Sequence, residues 1–134
     1  MAPAMSMSHG LPPKTPEEPA IDEAQVPIGQ KLISPIGGFS CILCHGAGSL
    51  AATQVFESAG INFAYSTERL QRTYYNHWLR NPQSIEPATK MPVYFTEEDG
   101  SPISDILDGN SLKQREAIWQ YFRMGSKMPP PQLQ

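Results

Sequence analysis

A chain of 134 residues suits one domain, but 14 prolines and a hydrophobic content of 40% leave only a modest core for its own side chains to build. The formal net charge is −3 and no basic run occurs, which argues against binding nucleic acid through phosphate attraction. No stretch approaches the ~20 apolar residues of a membrane span, so we expect no span within this sequence.

The N-terminal segment, residues 1–26, is rich in proline and poor in large apolar side chains. This composition is typical of a disordered tail or linker. Two interpretations stay open: simple disorder, or a tether that joins the domain to a lipid anchor, a membrane helix or another domain. The first ten residues lack the basic start and apolar centre of a secretory signal.

A single domain is predicted from residue 27 to residue 128. It opens with a short helix from Ile28 to Ser34, for which Pro27 can supply the first helical position. Pro35 and the glycine pair that follows it mark the end of this helix.

The run Cys41-Ile-Leu-Cys44-His45 contains both cysteines of the chain. Residues three and four positions apart share one face of a helical turn, so the two thiols and the imidazole can address one flat ligand. Each thiol can form a thioether with a haem vinyl group, and the imidazole can bind the iron. The run therefore predicts one haem c, attached covalently through Cys41 and Cys44, with His45 as an axial ligand.

Three other interpretations of the cysteine pair fit the sequence less well. A structural zinc site needs about four nitrogen or sulfur ligands, and the chain has no second cysteine pair. A thioredoxin-like redox pair needs a βαβ setting, and the flanking sequence has no β-branched runs of strand length. A disulfide between cysteines three positions apart closes only a small loop and restricts the unfolded chain little.

The strongest helical pattern covers residues 67–80, with Thr67 as its predicted N-cap. Leu70, Tyr74 and Trp78 recur at every fourth position and form the predicted apolar stripe, which Tyr75 and Leu79 widen. Haem propionates need hydrogen-bond donors where they are buried, and an arginine can bond a carboxylate through two N–H groups. Tyr74 is one candidate donor on this helix, and Arg69 and Trp78 are the better placed ones.

A proline-rich segment at residues 84–92 follows, and its Met91 is the predicted sixth ligand of the iron. A thioether is unusual in a solvated turn unless it is buried, and the prolines stiffen this loop. Methionine usually fills a core, so Met124 and Met128 stay open as alternatives. His77 would instead give a bis-histidine haem. A sixth position without a protein ligand would allow small molecules to bind.

The closing helix is predicted from Ser111 to Met124, with Ser111 and Gln114 spaced as a capping box and Gly125 placed to end it. Its predicted apolar face consists of Leu112, Ile118, Trp119 and Phe122. A short tail, residues 129–134, follows. No convincing strand occurs, which predicts an all-α fold.

Taken in order, several segments between residues 28 and 127 resemble the class I c-type cytochromes, especially small bacterial ones. The matching segments are Gly29 with Leu32, Cys41 to Gly46, Gly60 to Phe63, Trp78 to Pro82, and Lys90-Met91-Pro92 before a final aromatic helix. The resemblance implies an all-α fold of three to five helices wrapped around one covalently attached haem. It also implies that the first and last helices cross near the haem, held by Gly29, Trp119, Tyr121 or Phe122.

The resemblance further implies roles for single residues. His45 and Met91 would be the axial ligands. Similar cytochromes carry Gly-Pro-x-Leu where this chain has Gly60 to Phe63, and the proline carbonyl there accepts the N–H of the ligand imidazole. In this chain the carbonyl of Ile61 takes that place, and Phe63 replaces leucine as a haem-packing group.

These features predict a monohaem electron carrier, or an electron-transfer domain, and not an enzyme. Its partners would be redox proteins, a donor and an acceptor, docked through small and weak interfaces. Two alternatives stay open: a haem enzyme or a gas or peroxide sensor with a displaceable sixth ligand, and an electron-entry domain of a larger redox complex. Haem attachment through Cys-x-x-Cys-His normally takes place outside the cytoplasm, so we expect a periplasmic or other extracytoplasmic location.

Overall fold

The computed structural model describes residues 18–53, 60–95 and 100–133. Most of the predicted N-terminal tail, residues 1–17, and the final residue of the predicted C-terminal tail lie outside these described residues. Among the helices that are described, none is long and apolar enough to cross a membrane.

Within the described ranges the chain forms five α-helices and no β-strand, which confirms the predicted all-α class. The α-helices are α1 (Val26–Leu32), α2 (Ser66–Arg69), α3 (Arg72–Arg80), α4 (Pro82–Ile85) and α5 (Ser111–Phe122). Short 3-10 turns cover Cys41–Leu43, Phe63–Tyr65, Leu107–Gly109 and Gly125–Lys127.

Helices α1 and α5 pack closely against each other at Gly29. A Cβ atom on Gly29 would lie 2.3 Å from the carbonyl oxygen of Ala117 and 2.8 Å from the Cβ of Tyr121. Only a residue without a side chain allows the two backbones to come this close. Leu32 and Tyr121 are fully buried beside this contact, so the first and last helices of the domain form the centre of its core.

The prediction of a single helix over residues 67–80 is wrong, because the structure divides this segment into α2 and α3. Leu70 and Gln71 are extended, with ψ values of 142° and 150°, and no side chain caps either helix. The buried residue of α3 is Tyr75, which lies at the edge of the predicted stripe. Tyr75 is buried and donates its hydroxyl to the carbonyl of Arg115 at 2.6 Å, whereas Tyr74 is 46% exposed. The predicted apolar stripe is therefore wrong at Tyr74.

The closing helix begins at Ser111, as predicted, but it ends at Phe122 instead of Met124 and has a different N-terminal cap. The Asn110 side chain, rather than Ser111, caps α5 by accepting the N–H of Lys113 at 2.9 Å. Ser111 is instead buried, and its hydroxyl accepts a hydrogen bond from Arg115. Leu112 is 57% exposed, which corrects its predicted place on the apolar face. The other predicted members of that face are buried: Ile118, Trp119 and Phe122.

The described residues before α1 contact residues of α5 that lie about 100 positions later in the sequence. The Glu18 carboxylate accepts a hydrogen bond from the indole N–H of Trp119 at 3.1 Å. The backbone N–H of Asp22 donates to the side-chain carbonyl of Gln120 at 3.0 Å. Part of the segment that the sequence assigns to a tail therefore packs on the domain.

Glu18 is the centre of a small charge network. Its carboxylate forms an ion pair with Arg72 and lies 3.8 Å from the guanidinium of Arg123. Arg72 also pairs with Glu116. Burial raises the pKa of Glu18, but hydrogen bonds from Arg72 and Trp119, together with the charges of Arg72 and Arg123, outweigh burial. The pKa of Glu18 therefore lies below its ordinary value of 4.5.

We expect Glu18→Gln to lower the free energy of unfolding by about 1 kcal/mol at neutral pH, because it removes a partly screened, hydrogen-bonded charge. A carboxyl group with a lowered folded-state pKa stabilises the fold above its unfolded pKa, and this contribution is lost as the pH falls through the folded pKa. The difference between Glu18→Gln and wild type should therefore shrink once the pH falls below 4.5. Urea unfolding of both proteins at several pH values measures this difference in the free energy of unfolding.

Glu23→Gln is the matched control for this experiment, since Glu23 is exposed in the same segment. It should change stability by less than about 0.5 kcal/mol. An effect of Glu18→Gln that is the same at neutral and at acid pH would contradict an ionic role for Glu18.

Candidate functional site

The Cys-x-x-Cys-His run forms one tight turn directly after a residue in the left-handed conformation, Ser40 at φ 62°. The carbonyl oxygen of Cys41 accepts the backbone N–H groups of Cys44 at 3.2 Å and His45 at 3.1 Å. Ile42 is buried and anchors the turn in the core, while both cysteines stay half-buried. The turn therefore brings two thiols and one imidazole together within five residues of sequence.

No disulfide joins Cys41 to Cys44 in the structure. Burial, and to a smaller extent the neighbouring Cys44, raise the pKa of Cys41 to about 12. In the part of the chain that the structure describes, no three His, Cys, Asp or Glu side chains converge as ligands of one metal ion. The thiols and the imidazole of His45 are thus not arranged like the ligands of a structural zinc site.

The ring of His45 is oriented by the backbone of the segment that follows the turn. Its Nδ1 atom lies 2.7 Å from the carbonyl oxygen of Ile61, which accepts the ring N–H. Burial lowers the pKa of His45, and the hydrogen bond to Ile61 opposes that shift only in part. A neutral imidazole that donates through Nδ1 keeps its lone pair on Nε2, which is the form that binds a metal.

Gly60 provides the space that this ring occupies. A Cβ atom on Gly60 would lie 2.3 Å from Cε1 and 2.5 Å from Nδ1 of His45. The backbone N–H of Gly60 donates to the carbonyl of Cys44 at 2.7 Å, which fixes the two segments side by side. On another side the imidazole stacks on Phe63, with the ring centroids 4.6 Å apart. The ring of His45 is therefore held by main chain, by a glycine and by an aromatic side chain.

Asn62 is a site residue that the sequence reasoning missed. Its side-chain oxygen accepts the N–H groups of Gly48 at 3.0 Å and Ala64 at 2.9 Å, and its side-chain amide donates to the carbonyl of Gly48. The two bonds with Gly48 connect the loop after the cysteines to the segment that carries Ile61, and the bond from Ala64 caps the short helical turn that follows. An asparagine before a short helical turn is a known N-cap signal, so the sequence contained a hint of this role.

Met91 is held at both its side chain and its backbone. Its sulfur accepts the indole N–H of Trp78 at 3.0 Å, and its own N–H donates to the hydroxyl of Thr89 at 3.2 Å. Farther along the same loop, Tyr94 packs on Phe39 with the centroids 5.0 Å apart. The loop of Met91 therefore returns to the segment that leads into the cysteine turn.

Tyr94 gives a second indication of this proximity. Burial is the main cause that raises the pKa of Tyr94 to about 12, and the charges of Cys41 and Cys44 add to it. Phe95, the next residue, is buried and meets the ring of Phe39 edge-on at 5.1 Å. The two cysteines and the loop after Met91 thus share one region of the fold.

The remaining predicted haem contacts and ligand alternatives have varied surroundings. The guanidinium of Arg69 lies over the ring of Tyr65 at 5.1 Å. His77 is exposed on α3. Met128 is buried, and its Cγ would touch a Cβ placed on Gly48 at 3.4 Å, as expected of a methionine that fills a core.

The structure thus groups seven of the nine predicted site residues in two sets, whereas Arg69 lies over Tyr65 and Tyr74 stacks on Trp78. One set consists of the cysteine turn and the two residues that contact its imidazole: Cys41, Cys44, His45, Ile61 and Phe63. The other set is the pair of Trp78 and Met91. No family model, curated protein or solved structure matches this chain.

Proposed function

We propose that this chain is a monohaem c-type cytochrome of class I that carries single electrons between redox proteins. The observation that supports this proposal most strongly is the state of His45. Its ring follows two thiols in one turn, and its Nδ1–H is bound to the Ile61 carbonyl, so its Nε2 lone pair is the one available to a metal. A disulfide between the two cysteines would not require this orientation, and a structural zinc site would need further ligands beside the two thiols and the imidazole.

The residues around the turn fit a covalently attached haem. Cys41 and Cys44 would hold it through thioether bonds, and His45 would supply one axial ligand through Nε2. Gly60 and Phe63 bound the two sides of the imidazole and keep it from rotating. When bound, the haem supplies an iron that alternates between the ferric and ferrous states.

Met91 is the sixth ligand in this proposal. Its sulfur is half-buried, and its loop lies in the same region of the fold as the cysteine turn. A histidine and a methionine that together hold the haem in an apolar environment would favour the ferrous state of its iron and raise the reduction potential. The role of the protein is then to orient both ligands and to exclude water from them.

Partner proteins would be a redox donor and a redox acceptor that dock transiently. The sequence is acidic overall, with a formal net charge of −3, and two haem propionates would add negative charge. A basic partner surface would therefore raise the association rate at low ionic strength. The expected compartment is the periplasm or another extracytoplasmic space, because that is where haem is normally attached to such a run.

A redox titration combined with carbon monoxide tests the proposal against an enzyme or sensor function. The protein should show one reversible one-electron transition, and its reduced form should bind carbon monoxide slowly and incompletely. Rapid and complete binding would contradict the carrier function. It would instead support a haem with an open or displaceable sixth position.

A further inference from the structure

A groove of about 600 Å³ lies where α3, α5 and the 3-10 turn at Leu107–Gly109 meet, and it contains none of the predicted site residues. Its apolar side chains are Leu107 and Leu112. Leu112, in the first turn of α5, is 57% exposed. The other lining residues are polar or charged: Gln25, Arg72, Asn76, Lys113 and Glu116. An exposed apolar patch with polar edges is typical of a surface that binds another protein.

The turn that supplies Leu107 has an unusual backbone. Leu107, Asp108 and Gly109 all have positive φ angles, at 52°, 57° and 69°. A leucine rarely adopts this left-handed conformation, because its Cβ atom comes too close to the following carbonyl oxygen. Such residues persist only where the surrounding structure imposes their conformation, and they are concentrated at functional sites. The turn therefore places Leu107 at the groove at a cost in free energy.

Hydrogen bonds from a buried side chain hold this turn in place. Gln114 is fully buried, and its amide donates to the carbonyls of Ile103 at 2.9 Å and Ile106 at 2.8 Å. The backbone N–H of Gly109 donates to the same carbonyl of Ile106 at 3.1 Å. This wall of the groove is thus formed in advance, so a partner that binds there has little backbone to order.

The charges beside the groove are mainly acidic. Between residues 96 and 110 the sequence has five acidic residues and no lysine or arginine. Three acidic side chains on the segments that form the groove are exposed: Asp105, Asp108 and Glu23. The positive charge of Arg72 is offset by its two ion pairs, and Lys113 is the exposed base among the lining residues. The groove therefore complements a surface on which basic residues surround an apolar side chain.

We propose that the groove is the docking site of a protein partner, which inserts one apolar side chain between Leu107 and Leu112 and surrounds it with lysines and arginines. Burial of the two leucines supplies affinity, and the acidic groups speed the encounter. A second copy of this chain fits the groove less well, because a symmetric contact would bring two acidic segments into one interface. The inference goes beyond the proposed function, since none of these residues requires a bound haem.

The test uses a synthetic amphipathic helix as the probe, with leucines on one face and lysines on the others. Added to the whole chain with labelled leucine methyl groups, this lysine peptide should shift the NMR resonances of Leu107 and Leu112. Its binding should weaken as the ionic strength rises. The same peptide with glutamates in place of lysines should bind at least about tenfold more weakly. Equal binding of both peptides, shifts confined to other leucines, or no binding would overturn the proposal.

Leu112→Asn should weaken the binding of the lysine peptide about tenfold, because one leucine no longer buries its apolar surface. Its thermal unfolding should match that of wild type, since Leu112 is exposed. Leu133→Asn is the matched control, because Leu133 is a second exposed leucine, at 43%, and lies outside the groove. This control should leave the affinity unchanged. Equal losses of affinity in the two variants, or no loss in Leu112→Asn, would contradict docking at the groove.

Two further measurements test the choice of a basic partner. Asp105→Asn combined with Asp108→Asn should lower the affinity about threefold at low ionic strength and reduce its salt dependence, as expected for exposed ion pairs. An unchanged salt dependence would overturn the role of the acidic segment. Sedimentation of the chain alone should show a monomer. A dimer that Leu112→Asn dissociates would overturn the proposed partner and identify a second copy as the occupant of the groove.

Discussion

Replacing both thiols, in Cys41→Ala with Cys44→Ala, is expected to give a chain that retains no covalent haem and loses most of its stability. The sequence has a modest hydrophobic content of 40%, so a bound haem would supply a large share of the apolar bulk. Its loss should cost at least about 3 kcal/mol, comparable with the removal of a large core side chain. Acid extraction of haem and thermal unfolding by circular dichroism measure the two effects.

Leu43→Ala is the control for this double variant. Leu43 lies between the two cysteines and is half-buried, but it has no thiol. The variant should keep its haem through extraction while it loses some stability. Haem that resists extraction in the double cysteine variant would show that the attachment points lie elsewhere.

Met91→Ala has the second-largest expected effect. The haem should stay attached, because the thioether bonds do not involve Met91, but the methionine–iron charge-transfer band should disappear. The reduced protein should then bind carbon monoxide rapidly, since the sixth position is open. Absorption spectra before and after the addition of carbon monoxide record both changes.

Two further variants test the alternatives to Met91. Met124→Ala and His77→Ala remove a half-buried sulfur and an exposed imidazole, and both should retain the band. A band that survives in Met91→Ala but is lost in Met124→Ala would transfer the ligand role to Met124, and one that survives in both would point to Met128. A wild-type haem without the band that binds carbon monoxide rapidly only in His77→Ala would transfer the role to His77.

The parts of the fold that the sequence predicted are those encoded locally. The cysteine run, the helices α1 and α5, and the loop around Met91 each have a short motif or a clear periodicity. The pairing of α1 with α5 was implied by the resemblance alone. The contact between Ile61 and His45 was also expected, because the resemblance to class I c-type cytochromes implies that the carbonyl of Ile61 accepts the ring N–H. In the structure these atoms are 2.7 Å apart.

The parts that could not be predicted depend on tertiary contacts. The break at Leu70 and Gln71 contains neither glycine nor proline, and an apolar pattern of helical period runs through it. The break allows Tyr75 to reach α5, where it packs on Trp119 with centroids 4.7 Å apart. Periodicity cannot foresee this break, because the packing of Tyr75 that stabilises it involves α5, a helix more than 30 residues away.

The contacts of Glu18 and of Trp78 illustrate the same limit. Proline content assigned Glu18 to a tail, but its carboxylate binds Trp119, which lies 101 positions later. The sequence offered Trp78 as a propionate donor, whereas its indole donates to Met91. In neither case did the sequence identify the partner, because the fold brings the two side chains together.

The most direct test of this account is the mass of the peptide that contains Cys41 to His45, taken from protein produced in a compartment that attaches haem. We expect this peptide to carry one haem through both cysteines, with no free thiol left to alkylate. A peptide that has the mass of the unmodified sequence and two alkylated thiols would contradict the assignment of a c-type cytochrome.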